Sequence, residues 1–192
     1  MQLRRANRGR TAALIAVAVL TFTMSGSALA APRAIGPGAS LAAVRAATAH
    51  LHSPGRAIEA GYIPVSPCEQ IPGVGGMGVH YLNPALAADL ASDPRAPELL
   101  LFAPSGNGWR LVGVEYFSVA LANTASGPAP WFGEDVPPLG FFNPAPAVLG
   151  RTFDGPMQGH NAAMPWHYDL HAWIWQANPA GIFEPWNPNV SC

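Results

Sequence analysis

No lysine occurs anywhere in the sequence, and all ten basic residues are arginines. Four of them, Arg4, Arg5, Arg8 and Arg10, crowd the N-terminus, while the other six are scattered singly. No basic patch is left to follow a phosphate backbone, which excludes nucleic acid as an expected partner. Compact catalytic and metal signatures are also missing. There is no HExxH, no paired CxxC, no GxSxG elbow and no CxxCH, so helical zinc proteases, zinc ribbons, serine hydrolases of the elbow type and covalent c-type haem lose their sequence basis. Gly73-Val-Gly75-Gly-Met-Gly78 satisfies G-x-G-x-x-G, but Val-His-Tyr rather than a helix follows it, so it reads as a flexible turn and not a dinucleotide loop.

The arginine-rich start precedes an apolar stretch from about Ala12 to Phe22 and then Ser-Gly-Ser-Ala28-Leu29-Ala30. That is the pattern of a secretory signal peptide with an A-x-A cleavage site, expected over residues 1–30. Its apolar stretch is shorter than the roughly 20 residues that cross a bilayer, and no later run approaches that length. Residues 31–192 carry six Arg against eleven acids, a formal net charge of −5. The expected location is secreted, periplasmic or on the exterior of the cell envelope. The only cysteines, Cys68 and Cys192, are then expected to form a disulfide in an oxidising compartment, the alternative being two free thiols.

The length after residue 30 suits one domain with a real core, and the low charged fraction with six Trp and eight Phe argues against disorder. Residues 31–39 form a Pro/Gly-rich lead-in, and a single globular domain is expected over 40–192. Ser40 offers an N-cap for a helix over 41–51, and Pro54-Gly55 ends it before a further helical turn over 56–60. Strands are expected over 78–82, 98–102, 109–119 and 166–176, with Pro104-Ser-Gly-Asn-Gly108 as a hairpin turn between the second and third. Residues 120–165, rich in Gly, Pro and Ala, read as one long loop over a functional region. The expected class is therefore α+β: an N-terminal helix packed on a mainly antiparallel sheet, with a long Gly/Pro-rich loop before the last strand.

Polar groups that interrupt apolar runs carry the functional signal. His80 sits in Gly-Met-Gly-Val-His-Tyr, Glu115 in Leu-Val-Gly-Val-Glu-Tyr, and His167, Asp169 and His171 in the aromatic decapeptide from Trp166 to Trp175. Buried titratable groups need partners or a metal. On a strand, His167, Asp169 and His171 share a face, yet the two histidines are about 13 Å apart and cannot hold one ion. A helix starting at Pro165 would bring them together, but Trp, Tyr and Ile favour a strand. His171, deeper in the run, is the preferred ligand, with His80 and Glu115 as partners. Asp169 is a fourth ligand or an acceptor for an imidazole N–H, and His167 is the least secure member. This donor set suits a divalent ion, with zinc, iron, copper and manganese all compatible. The blander alternative makes His80 and His171 core residues bonded to backbone carbonyls and pairs Glu115 with an arginine such as Arg110.

Several of these residues lie in longer motifs. Ala60-Gly61-Tyr62, Gly-Met-Gly-x-His-Tyr-x-Asn-Pro from Gly76 to Pro84, Val114-Glu-Tyr116, and Leu-His-x-Trp-x-Trp-x-x-Asn-Pro-x-Gly-x-Phe-x-x-Trp-Asn-Pro from Leu170 to Pro188 precede the last Cys. Over roughly residues 40–192 the chain resembles a group of uncharacterised secreted bacterial proteins. The resemblance implies no activity; it places His80, Glu115 and His171 inside shared motifs and His167 just outside. Three function classes follow: a secreted metalloenzyme with the 120–165 segment as a lid, a non-catalytic binder of a metal or of an apolar small molecule against Trp166, Trp173, Trp175 and Trp186, and a structural exported domain.

Overall fold

A computed structural model describes residues 37–192. The expected signal peptide, residues 1–30, and most of the lead-in lie outside the described residues. Helix α1 spans Pro37–Thr48, continues as a 3-10 turn over Ala49–Leu51, and is followed by α2, Pro54–Glu59. The helix starts before Ser40 rather than being capped by it, because Pro37 supplies a first-turn residue whose missing N–H costs nothing there. Pro54 opens α2 in the same way, with the Ser53 hydroxyl accepting from Arg56 N, and Gly61 (φ 91°) ends this region.

Eleven strands follow among the described residues: β1 Ile63–Pro64, β2 Glu69–Ile71, β3 Gly75–Leu82, β4 Leu99–Ser105, β5 Gly108–Val119, β6 Leu121–Ala122, β7 Ala129–Pro130, β8 Ala147–Val148, β9 Arg151–Thr152, β10 Asp154–Met157 and β11 His167–Ala172. A short helix, α3, spans Pro84–Ala87. The main sheet is ordered β1-β3-β4-β5-β11-β10, with β2 also paired to β3, and every pairing is antiparallel. The expected hairpin is β4–β5, closed more tightly than the composition suggested: Ser105 pairs with Gly108 across Gly106-Asn107, and Gly106 takes φ 58°.

Two expectations are corrected. The glycine run is a turn only at its start, where Pro72-Gly73-Val74 join β2 to β3; Gly75–Gly78 is strand backbone, and glycine is required there because other chain segments press against it. A Cβ on Gly78 would sit 2.3 Å from the Phe102 carbonyl oxygen, and one on Gly75 would sit 2.3 Å from that of Asn187. Nor is 120–165 a structureless loop. It holds five short strands of two to four residues, too brief to leave a periodic pattern, and β10 forms an edge of the main sheet.

The two faces of the sheet are buried differently. Alternation sends Leu100, Phe102, Val114, Tyr116, Tyr168 and Leu170 to one side, where they pack with Val44, Leu51 and Ala57 from the helical segment. Each such side chain contributes about 1.5–3 kcal/mol on full burial. Arg45 Nε donates to the Ile174 carbonyl at 2.7 Å, and Trp175 Nε1 donates to Thr48 Oγ1 at 3.2 Å, fixing the helix against the chain that leaves β11. Part of the 120–165 segment also joins this side, through Ala120, Val148, Leu149 and Phe153. On the opposite face, Leu101, Ala103, Val112 and Trp173 are covered by the C-terminal tail through Val190. Asn187 bridges Gly76 in both directions, and the Cys68–Cys192 disulfide ties the tail beside β2.

A bond closing 124 residues of chain restricts the unfolded ensemble strongly. The Cys68→Ser, Cys192→Ser double variant is expected to lose about 3–4 kcal/mol in guanidinium unfolding while keeping its far-UV spectrum. A loss below about 1 kcal/mol would mean that the tail is held by its Gly76 and Trp173 contacts alone.

Candidate metal centre

The tail covers only part of its face, and beside it the sheet forms the floor of a cavity of about 500 Å³. His80 and Leu82 of β3, Leu99 of β4, Glu115, Phe117 and Val119 of β5, and His171 of β11 line this floor. They share one face because their spacing is two along each strand and the registers align. His171 is directly opposite Glu115, Glu115 opposite Leu99, and Leu99 opposite Leu82. The walls come from Val65, Ser66 and Glu69 on one side, Pro84, Ala87 and Ala88 around α3, and His160, Asn161, Ala163, Met164 and Pro165. Of the 120–165 segment only this short stretch, His160 to Pro165, lines the cavity.

His80, Glu115 and His171 are buried, and one ligand atom from each lies within 4.8 Å of the other two. Glu115 Oε2 is 3.2 Å from His80 Nε2 and 3.5 Å from His171 Nε2. Two donors about 2.1 Å from a tetrahedral ion lie about 3.4 Å apart, so these separations suit direct ligation. Glu115 Oε2 and His171 Nε2 have no hydrogen-bond partner among the described residues. Buried polar atoms are nearly always satisfied, and two orphans converging on one point are what an ion would satisfy. The group can hold a metal ion.

Electrostatics agree with a charge-sharing cluster. Burial opposes ionisation of Glu115, but His171 and His80 outweigh it and bring the carboxyl down to about 2. Burial would lower His80, yet Glu115, with Glu69 behind it, raises it above its ordinary value. His171 is lowered to about 4, chiefly by burial, so its ring is neutral and offers a lone pair.

Ser66 sets the His80 ring, a role with no local signal in the sequence. The loop between β1 and β2 passes His80 along the outer edge of β3. Val65 N donates to the His80 carbonyl at 2.9 Å, and His80 N donates to Ser66 Oγ at 3.1 Å. The Ser66 hydroxyl proton goes to the Pro67 carbonyl at 2.7 Å, so His80 Nδ1–H donates to Ser66 Oγ at 3.0 Å and Nε2 faces Glu115. Such outer contacts orient metal-binding imidazoles.

His167 and Asp169 share the face of His171 but stand outside the three-residue cluster and the cavity lining. His167 Nδ1–H donates to the Pro165 carbonyl at 3.1 Å, its ring stacks on Phe117, and its Nε2 is 3.8 Å from Asp169 Oδ2. Four residues along β11 separate His167 from His171, as strand geometry requires; Asp169, only two residues away, is nonetheless not part of the cluster. Burial, aided by Glu115 and Asp154, raises the Asp169 carboxyl to about 8. The blander pairing fails as well, since Arg110 bonds Gln176 and neither cluster imidazole bonds a carbonyl among the described residues. No Trp lines this cavity: Trp166 and Trp173 are buried in the two cores on either side of the sheet, and Trp175 and Trp186 are half-buried elsewhere. No protein-family model, curated protein or solved structure matches this chain.

Glu98, immediately before β4, is a further buried acid missed in the sequence. It accepts from Phe117 N at 3.0 Å, and burial raises its carboxyl to about 7. The folded state therefore keeps a proton that the unfolded chain loses above its ordinary value of 4.5. The stabilising effect of that proton is complete below about pH 4.5 and is lost as pH rises to about 7. Glu98→Gln keeps the acceptor and removes the titration. Relative to wild type, its stability is expected to rise by about 2–3 kcal/mol between pH 4.5 and 7.5 in urea unfolding. A pH-independent difference would contradict this assignment.

Proposed function

We propose that the chain is an exported, disulfide-closed domain that binds one divalent transition-metal ion through His80, Glu115 and His171 and presents an open coordination position to the cavity beside them. The observation that carries this reading is the convergence of two orphaned buried ligand atoms and a third at ligand spacing on the cavity floor. Structural zinc sites are closed by four protein ligands, whereas three ligands facing a cavity suit a site that takes a water or a small molecule. Export is supported by the arginine-led apolar N-terminus and by the disulfide. We read the motifs from Gly76 to Pro84 and Leu170 to Pro188 as marks of kinship with the secreted bacterial group they resemble.

A second reading, a small-ligand-binding domain without an ion, is favoured by the mostly apolar lining of the cavity. In either reading turnover would depend on what enters the cavity, so an enzyme and a binder share this site.

Elemental analysis of protein prepared without chelator, and after incubation with zinc, copper, iron or manganese, is expected to give one ion per chain. His80→Ala and His171→Ala should abolish uptake. Ser66→Ala should weaken it about 10–100-fold, with Ser66→Thr restoring it. A folded wild-type protein that stays empty after all four incubations would sink the metal reading.

A further inference from the structure

The cavity has a chemical asymmetry that bears on its ligand. At one end stand His80, Glu115 and His171; from there the floor continues over Leu82, Leu99, Phe117 and Val119, which provide no hydrogen-bonding side chain. Phe117 and Val119 follow Glu115 at two-residue steps on β5, so the apolar floor runs along the strand away from the cluster. Behind the cluster the way is closed by Trp173 and Val190 packed over Leu101. A molecule reaching the ion therefore has room to extend only over the apolar floor.

Charge narrows the ligand further. No arginine lines the cavity, and the chain has no lysine. Outside its histidines the lining offers no cationic side chain, so phosphorylated or polyanionic molecules would find no arginine or lysine to pair with there. A divalent ion held by two neutral imidazoles and one carboxylate keeps a net charge of +1, which is costly to leave uncompensated in a mostly apolar cavity. One negative charge on the incoming group cancels it. The other acid in the lining, Glu69, lies on the far side of the His80 ring, 3.9 Å from Nδ1, and its partly exposed side chain is screened by solvent.

We propose that this site takes an amphiphilic monoanion, a carboxylate-type headgroup on an aliphatic tail, with the headgroup at the open metal position and the tail along Leu99, Phe117 and Val119. This rests on the metal reading and adds the ligand class to it.

The test is calorimetric titration of zinc-loaded and chelator-treated protein, metal content being measured in each sample, with acetate, octanoate and octyltrimethylammonium. Each buried methylene is worth about fourfold in affinity. Zinc-loaded protein is expected to bind octanoate at least about fiftyfold tighter than acetate and at least about tenfold tighter than octyltrimethylammonium. Chelator treatment should remove the preference for the anion, and Val119→Asp should remove the preference for the longer chain while leaving zinc content at one per chain. Zinc uptake with equal binding of acetate and octanoate, or of octanoate and the ammonium compound, would overturn the ligand assignment and leave the metal site standing. Failure of the folded protein to take up zinc or any of the other three ions would overturn both.

Discussion

Glu115 is a carboxylate in the interior of the longest strand, 3% exposed, and among the described residues its ionic neighbours are His80 and His171 rather than an arginine. An isolated charge in such a position is costly, and the surrounding fold can be understood as the means of making it tolerable. β11 pairs with β5 in the register that puts His171 directly opposite, and β3 brings His80 across Leu99 and Leu101 of β4. In the absence of an ion His80, raised above its ordinary value, offsets the charge, and in the proposed state both imidazoles share the ion with the carboxylate. Removing one partner of such a cluster leaves an unpaired buried charge, so its members stand or fall together.

The rest of the architecture keeps this group at the boundary between a closed and an open surface. One face of the sheet is filled by the helical segment and by part of 120–165, which makes the strands rigid. The other face is only half covered. The C-terminal tail seals it up to the cluster, anchored by Asn187 on Gly76 and by the disulfide from Cys192 to Cys68. Cys68 lies two residues beyond Ser66, whose hydroxyl orients His80, so the same loop ties down the tail and sets the imidazole. Folding and site assembly are thus linked through a short segment rather than through separate elements.

His80, Glu115 and His171 were legible in the sequence because each is a polar residue in an apolar run, and burial of such a residue demands a partner. The period of two on a strand also separated His171 from His167, and the structure keeps His167 and Asp169 outside the cluster. The β4–β5 hairpin was legible from Gly-Asn between two β-rich runs. Other features left no local trace. Gly75–Gly78 became strand because chain from distant positions presses on it, and composition alone suggests a turn for such a run. β10 is four residues long and interrupted by Gly155 and Pro156, below any readable period. The tryptophans attract attention as ligand-binding residues, but their burial on both sides of the sheet depends on contacts between distant segments, as does the Ser66 contact with His80.

The central claim is that one ion completes the His80, Glu115 and His171 cluster. Crystals of the zinc-loaded protein, measured above and below the zinc absorption edge, test it most directly. The account predicts one strong anomalous peak about 2.0–2.2 Å from His80 Nε2, His171 Nε2 and a Glu115 carboxylate oxygen, with a further ligand on the cavity side. Anomalous density elsewhere, with His80 and Glu115 still in direct contact and no peak between them, would contradict it.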